Sequence, residues 1–331
     1  MEKLLSIVIP VYKVEAYIKK CLDSLIIAPE LMDKMDVLII NDGTPDRSAE
    51  ISREYVKRFP GVFRQIDKEN GGHGSVWNLG LKEAQGKYIK FLDSDDWLEN
   101  LDVLIEKLES CDADLVLTHT ICHIKRGVLG ELIRGNDWKL EIKSMQFGRM
   151  YDANTFDWIN NQSHGSFMLH HCCTYKTEVL RQYLPLFLEK QPYDDLILRP
   201  AVIIGANSLV AYDIVLYHYL MNREGQSISK EAQERNIQAK MKSQQYCIEF
   251  VERHQVPNDS SKAVYFKERK PKSYNFGYKT FVQFPYKEAK HYTKVWDDWV
   301  TKHNPSIKTQ WIKLYHLLPF WMYRIIVKIK S

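Results

Sequence analysis

At 331 residues the chain is long enough for one large domain, or for one domain with a smaller appendage. A hydrophobic content of 45% with 27% charged residues is that of an ordinary soluble globular protein and sets disordered and fibrous classes aside. The net charge of +4 is unevenly spread: residues 230–331 carry 20 Lys+Arg against 9 Asp+Glu, and residues 1–229 carry 26 against 33. An acidic N-terminal part suits a cation, and a basic C-terminal part suits an anionic surface.

The six cysteines (Cys21, Cys111, Cys122, Cys172, Cys173 and Cys247) show no C-x-x-C spacing, which predicts reduced thiols in a cytoplasmic setting. Residues 4–11 are too short for a signal peptide and read as a first strand. No uninterrupted apolar stretch reaches the roughly 18 residues of a spanning helix.

Residues 14–26 have helical periodicity, with Ile18, Leu22 and Leu25 on one face. Residues 36–40 form a second apolar run, closed by the turn formers Asn41-Asp42-Gly43-Thr44-Pro45-Asp46. A helix over 48–59, a short strand over 62–66 and a glycine-rich loop over 70–74 follow. A helix over 75–83 then leads into a strand that ends in acids at 88–97. This alternation predicts an α/β fold with a parallel sheet covered on both faces. A helix at 101–109 and a strand at 113–118 come next, and strand signals return at 208–213 and 215–219. Residues 120–180 show mixed polarity without a clear period. From about 230 the composition shifts to long polar helices, which divides the chain into 1–229 and 230–331.

Four places carry candidate chemistry. Asp42 is a turn former in one reading and an acceptor for base N–H or ribose hydroxyls in the other. Asn70-Gly71-Gly72-His73-Gly74-Ser75, with Asn78 and Gly80, opens a helix with exposed amides but fits no dinucleotide or P-loop fingerprint. His73 reads equally as a ligand contact or an exposed loop residue. In Tyr-Ile-Lys-Phe-Leu-Asp-Ser-Asp-Asp-Trp (88–97), Asp93, Asp95 and Asp96 end an apolar run. Buried unpaired carboxylates cost several kcal/mol, so these acids sit where the strand leaves the sheet, the usual ligand edge of α/β folds. In an extended stretch Asp93 and Asp95 would share one side and serve one hard cation. Asp194 and Asp195 precede an apolar segment, as a helix cap or as a general base. His170-His171-Cys172-Cys173 invites a zinc reading, which is set aside because neighbours on a strand face opposite ways; His171 is kept as a residue facing an acceptor.

Taken together these segments resemble the family 2 glycosyltransferases, nucleotide-sugar enzymes of the GT-A fold. Ser6–Tyr12 looks like the family's opening strand, and Asn41–Asp46 like its acidic turn. Asn70-Gly71-Gly72 with Asn78 and Gly80 looks like its glycine-asparagine segment, and Asp93-Ser94-Asp95 like its Asp-x-Asp motif. Tyr193-Asp194-Asp195 falls where the family has Glu-Asp, and residues 223–229 resemble its closing arginine-glycine-serine stretch. The resemblance covers about 1–230. It implies a mostly parallel, Rossmann-like sheet between helices, with the C-terminal helical region beyond it.

The resemblance implies nucleotide-sugar contacts at Pro10, Tyr12, Glu15, Asp42, Asn70, Gly71, Asn78, Asp93, Ser94, Arg223 and Ser227. Tyr12 and Asp42 would hold uracil and Asp93 the ribose of a UDP-sugar. Asp95 would bind Mn2+ or Mg2+, and Arg223, Gln226 or Ser227 would close over the diphosphate. Asp195 would be the base of an inverting displacement, with His73, Asp96, His171 and Asp194 as acceptor contacts or supports. The acceptor class is a saccharide or lipid-linked sugar, in cell-surface polysaccharide or glycoconjugate synthesis. Asn41, Asp194 and Trp77 depart from the family pattern.

Two rival classes are a sugar-nucleotide nucleotidyltransferase, whose Gly-rich basic loop is missing after residue 10, and a non-catalytic carbohydrate-binding protein, disfavoured by intact Asp95 and Asp195. No nucleic-acid partner is expected. Trp311, Leu314, Leu318, Met322 and Ile325 recur at helical spacing among bases. That segment reads as a helix packing on its own domain, as an interfacial helix on an anionic membrane that makes the protein peripheral on the inner face, or as a homodimer contact.

Overall fold

The computed structural model describes residues 2–126, 131–138, 145–160, 170–191, 194–221 and 236–330; Lys125, Arg126, residues 131–138, Asp194 and Asp195 are described in backbone only. Strand β1 (Lys3–Val11) is followed by helices α1 (Ile18–Asp23) and α2 (Pro29–Met32), strand β2 (Met35–Asn41), helix α3 (Ser48–Arg58) and strand β3 (Phe63–Asp67). Helix α4 (His73–Glu83) and strand β4 (Gly86–Phe91) complete the alternating part. These four strands pair in parallel in the order β3-β2-β1-β4. All seven residues of β2 are buried, as a parallel strand covered on both faces requires. Side chains alternate between two cores: Ile7, Ile9, Val37 and Ile39 on one face, Val8, Leu38 and Ile40 on the other.

Beyond β4 the sheet is mixed. Strand β5 (Trp97–Leu98), helix α5 (Leu101–Glu109), strand β6 (Leu115–Arg126), β7 (Glu131–Trp138), β8 (Met150–Asp152), β9 (Cys173–Lys176), helices α6 (Thr177–Tyr183) and α7 (Leu198–Gly205), and β10 (Ser208–Met221) build it. β9 lies antiparallel between β4 and β6, and β10 runs parallel to β6, so the sheet continues as β4-β9-β6-β10-β5. The two strand signals at 208–219 are one strand, with register shifts at Ala211–Tyr217 absorbing the interruption. Helix α4 lies so close to β1 that a Cβ on Gly80 would collide with Val8 Cγ1.

Helices α8 (Ile237–Arg253), α9 (Ser261–Thr280), α10 (Tyr286–His303), α11 (Gln310–Leu317) and α12 (Phe320–Lys330) follow. Phe250 and Tyr265 join the core under the sheet, and buried Lys262 donates to the Ile204 and Ala206 carbonyls, so α8 and α9 are docked on the N-terminal part. A separate core gathers Tyr274, Tyr278, Phe281, Trp296, Val300, Tyr323 and Val327. The terminal apolar segment is two helices rather than one, because Pro319 cannot continue α11. One face of α12 packs through Tyr323 and Val327; the other exposes Trp321 (56%), Ile325 (52%) and Ile329 (79%). No helix among the described residues is long and apolar enough to cross a membrane.

Candidate active site

The site lies at the carboxyl edge of the parallel strands, where three turns meet. Near the end of β1 Pro10 is half-buried, and Tyr12, just after the strand, is 43% exposed. This turn is stitched to the one after β2: Lys13 N donates to Thr44 Oγ1 (2.8 Å), Val14 N to Ser48 Oγ (3.1 Å) and Glu15 N to Asp46 Oδ2 (3.1 Å). Burial would raise Asp46, but bonds from Ser48, Thr44 and the Glu15 amide outweigh it and hold the carboxyl below its usual range. Glu15 accepts from Arg47 N at 3.1 Å, so its carboxylate braces the turn.

Asp42 is buried. Its Oδ1 accepts from Lys68 Nζ (2.7 Å) and Gly71 N (2.9 Å), and its Oδ2 from Gly72 N (2.9 Å). Neither bond type in the two sequence readings of Asp42, to its own turn or to a nucleoside, includes this one: the carboxylate holds the glycine segment. Asn70 adds a bond to the Asp42 carbonyl at 3.0 Å. Gly72 has φ +82°, a conformation that only glycine adopts without strain, and there the chain turns into α4. Asn78 is engaged with both backbone groups of Phe187, accepting from its N–H (2.8 Å) and donating to its carbonyl (3.0 Å), which anchors the loop after α6. Trp77 is fully buried, stacked on Phe91 with centroids 4.3 Å apart.

Strand β4 ends in a turn rather than an extended stretch, closed by Asp96 N donating to the Asp93 carbonyl at 3.0 Å. The same-side argument for Asp93 and Asp95, which assumed extended backbone, therefore does not hold. Ser94 is buried and Asp95 half-buried. Asp96 is fully buried and accepts from Tyr217 Oη and Leu220 N, both at 2.7 Å. Burial first, then the charges of Asp95 and Asp93, push its pKa well up. Asp96 thus supports the loop. Asp93 is surrounded by imidazoles: His73 Nε2 stands 3.4 Å from Oδ1, and His170 Nε2 and His171 Nε2 stand 3.3 and 4.0 Å from Oδ2. Burial opposes ionisation of Asp93, yet His170 and His73 outweigh it and hold the carboxyl well below its usual range.

The adjacent histidines overturn the expectation that they face apart. His170–Cys172 is a turn of 3-10 helix before β9, and the two rings lie side by side with centroids 3.9 Å apart. His170 meets the edge of Trp77, and His171 packs on Tyr217 and Tyr219. Among the described residues, Asp93, His170 and His171 form a group whose ligand atoms all lie within 4.8 Å of one another, a donor set that fits a divalent metal.

Two groups escaped the sequence reading. Lys90, inside β4, is fully buried and donates to the carbonyls of His171 (3.0 Å) and Cys173 (3.1 Å), with its pKa pushed down to about 8 by burial. A lysine between two large apolar residues of a strand was the available signal. His218 bonds Glu99 at 2.7 Å and His123 at 2.8 Å while stacking on Trp97; only the pairing of β10 with β5 and β6 brings these together. The backbone of Asp194 and Asp195 forms a 3-10 turn running directly into α7. Arg223, Gln226 and Ser227 lie outside the described residues.

Residues 6–184 match the model of glycosyl transferase family 2. Over 118 residues, 35% of this chain, the sequence is 41% identical to an uncharacterized glycosyltransferase of Bacillus subtilis, EpsJ, and the match spans only 33% of that protein's length. The structure resembles S. aureus TarS 1-349 in complex with UDP-GlcNAc (TM-score 0.54, 21% identity), over 89% of this chain and 88% of that one. It also resembles the mannosyltransferase PcManGT of Pyrobaculum calidifontis in complex with GDP-Man and Mn2+ (TM-score 0.53, 13% identity), over 100% and 87%. At these identities the structural likeness bears on the fold, which is GT-A-like with a helical C-terminal region.

Proposed function

The chain belongs to glycosyl transferase family 2, and on that premise we propose that it moves a sugar from a UDP-sugar to a saccharide or lipid-linked acceptor, with inversion, in the synthesis of cell-surface polysaccharide or glycoconjugate. The observation that carries this reading is the convergence, at one sheet edge, of exposed Tyr12, the Asp42-held glycine segment and the Asp93–Asp96 turn. Tyr12 faces the base, and Asp42 holds the segment of Asn70 and Gly71 beside it, with Asn78 further along that segment. Asp93 takes the ribose, and Asp95 takes Mn2+ or Mg2+. An ion held there would supply neutralisation of charge on the departing diphosphate. Asp195 accepts the proton of the acceptor hydroxyl as its oxygen attacks the anomeric carbon, and the bond to UDP breaks on the opposite face. Arg223, Gln226 or Ser227, which lie outside the described residues, would close over the diphosphate.

A thermal-shift screen of nucleotide sugars with Mn2+ present tests the donor class. Stabilisation by UDP-sugars and UDP is expected, and a response to GDP-sugars alone would overturn the UDP assignment. UDP release should require Mn2+ or Mg2+ and disappear in Asp195→Asn; full turnover in that variant would remove Asp195 as base.

We place the protein at the cytoplasmic face of a membrane. This reading is supported by the exposed face of α12, where Trp321, Ile325 and Ile329 stand with Lys328 and Lys330 in a region of charge +11.

A further inference from the structure

We propose that a cleft between α10, α11 and α12 binds the phosphodiester headgroup of one anionic phospholipid, beside the exposed apolar face of α12. This site rests on the membrane placement above and adds a specific lipid contact to it.

Lys290, Lys294 and Asp297 recur at helical spacing along α10 and share one face. Tyr315 and His316 from α11 and Phe320 from α12 complete the lining of a cleft of about 280 Å3. That is slightly under the roughly 300–1,000 Å3 of small-molecule pockets, so it has room for a headgroup and not for a nucleotide sugar. Its walls are fixed by packing. Phe320 meets Tyr286 edge-on, and Arg324 ties α12 back to the Val282 and Phe284 carbonyls. Beneath them Tyr323 donates to the Tyr278 carbonyl at 2.6 Å, and the Tyr278 hydroxyl donates to Asp297 Oδ1.

Charge decides the kind of ligand. Asp297 Oδ1 bonds His316 Nε2 at 2.8 Å as well as Tyr278, so the one carboxylate in the cleft is committed to the fold. Among the described residues Lys290 makes no ion pair, and Lys294 pairs with Asp298 in an exposed contact of a kind that exchanges at little cost. Tyr315 keeps its proton: burial, then the charges of Asp297 and Asp298, push its hydroxyl up to about 12. Two ammonium groups and one phenol hydroxyl therefore line the cleft, donors that suit the unesterified oxygens of a phosphodiester. Residues 286–330 carry nine Lys+Arg against three Asp+Glu, so the surroundings also favour an anion. A membrane supplies that anion in place. Leu317 (77% exposed) follows His316, and Trp321 (56%) follows Phe320, so the cleft adjoins the apolar residues that enter the bilayer boundary. The lining gives the phosphate two lysines and the glycerol the Tyr315 and Phe320 rings.

The full chain is titrated calorimetrically with dihexanoyl-phosphatidylglycerol below its micelle concentration, with dihexanoyl-phosphatidylcholine and inorganic phosphate in parallel. One equivalent of the glycerol lipid should bind, at least about tenfold more tightly than the choline lipid or phosphate. Lys290→Gln with Lys294→Gln should weaken that binding by at least about tenfold. Lys302→Gln with Lys308→Gln, an equal loss of charge outside the lining, should change it by no more than about twofold. All four lysines are exposed, so both variants should keep the wild-type melting temperature. Equal weakening in the two pairs would overturn the cleft in favour of general charge attraction. Phosphate bound as tightly as the glycerol lipid, or choline lipid bound as tightly, would overturn the anionic-lipid assignment. Sedimentation with phosphatidylglycerol liposomes separates this site from the membrane reading. Liposome binding without short-chain lipid binding overturns the cleft and leaves the membrane face standing. Absence of liposome binding removes the membrane reading and this site with it.

Discussion

Tyr217 donates its hydroxyl hydrogen to Asp96 Oδ2 at 2.7 Å, and the same oxygen accepts from the Asp93 amide at 3.1 Å. One phenol on β10 thus spans the whole acidic turn after β4, tying the first and last carboxylate-bearing residues to the far half of the sheet.

Replacing Tyr217 with Phe should loosen that turn. Asp96 would keep the Leu220 amide but lose its buried hydroxyl partner, which costs about 1–3 kcal/mol. Urea unfolding should report the loss. Nucleotide affinity should fall with it, because the Asp93 amide is no longer held. An unchanged unfolding midpoint would show that the turn is kept by other contacts.

Asp36 gives a pH dependence with a definite sign. It is buried at the start of β2, which would raise its pKa, but bonds from Arg64, Ser6 and the Gln85 amide outweigh burial and hold it low. A carboxyl lowered from its unfolded value of about 3.9 contributes stability above that pH and loses it as pH falls through the folded pKa. Arg64→Gln should therefore be less stable than wild type by about 1.5–3 kcal/mol at neutral pH. The gap should shrink below about pH 4. A gap constant down to pH 2 would contradict the assignment.

Gly80→Ala should destabilise although alanine is the better helix former by about 1 kcal/mol. The new methyl meets Val8 Cγ1, and overpacking costs about 1–3 kcal/mol. Adding Val8→Ala should recover part of the loss in a double-mutant cycle. A stabilised single variant would show that α4 can move off β1.

Trp321→Glu combined with Ile325→Glu should abolish sedimentation with phosphatidylglycerol liposomes at low salt while leaving the melting temperature nearly unchanged, since both side chains are more than half exposed. Equal sedimentation of variant and wild type would dismiss this face as the membrane contact.

Much of this was legible because it depends on near neighbours in the chain. The parallel half of the sheet follows from apolar runs separated by helical periods. The acids at 93–96 had to lie at its edge because a buried strand cannot carry them. Misreadings arose where local geometry was assumed. Asp93 and Asp95 lie in a turn and not on an extended stretch, and His170 and His171 lie in a 3-10 turn and not on a strand. The apolar C-terminal segment is two helices rather than one because Pro319, visible in the sequence, ends the first.

The sequence by itself determined the family, the order of the first strands and helices, and the residues that could carry charge at the sheet edge, since each rests on pattern within a few residues. Only the tertiary structure decided what those charges meet. The bonds from Asp42 to Gly71 and Gly72, from Asp96 to Tyr217, and the cluster of Asp93 with His73, His170 and His171 all join residues about 20 to 120 positions apart. Such contacts are set by which strands pair and which helix crosses them, and no local periodicity encodes that.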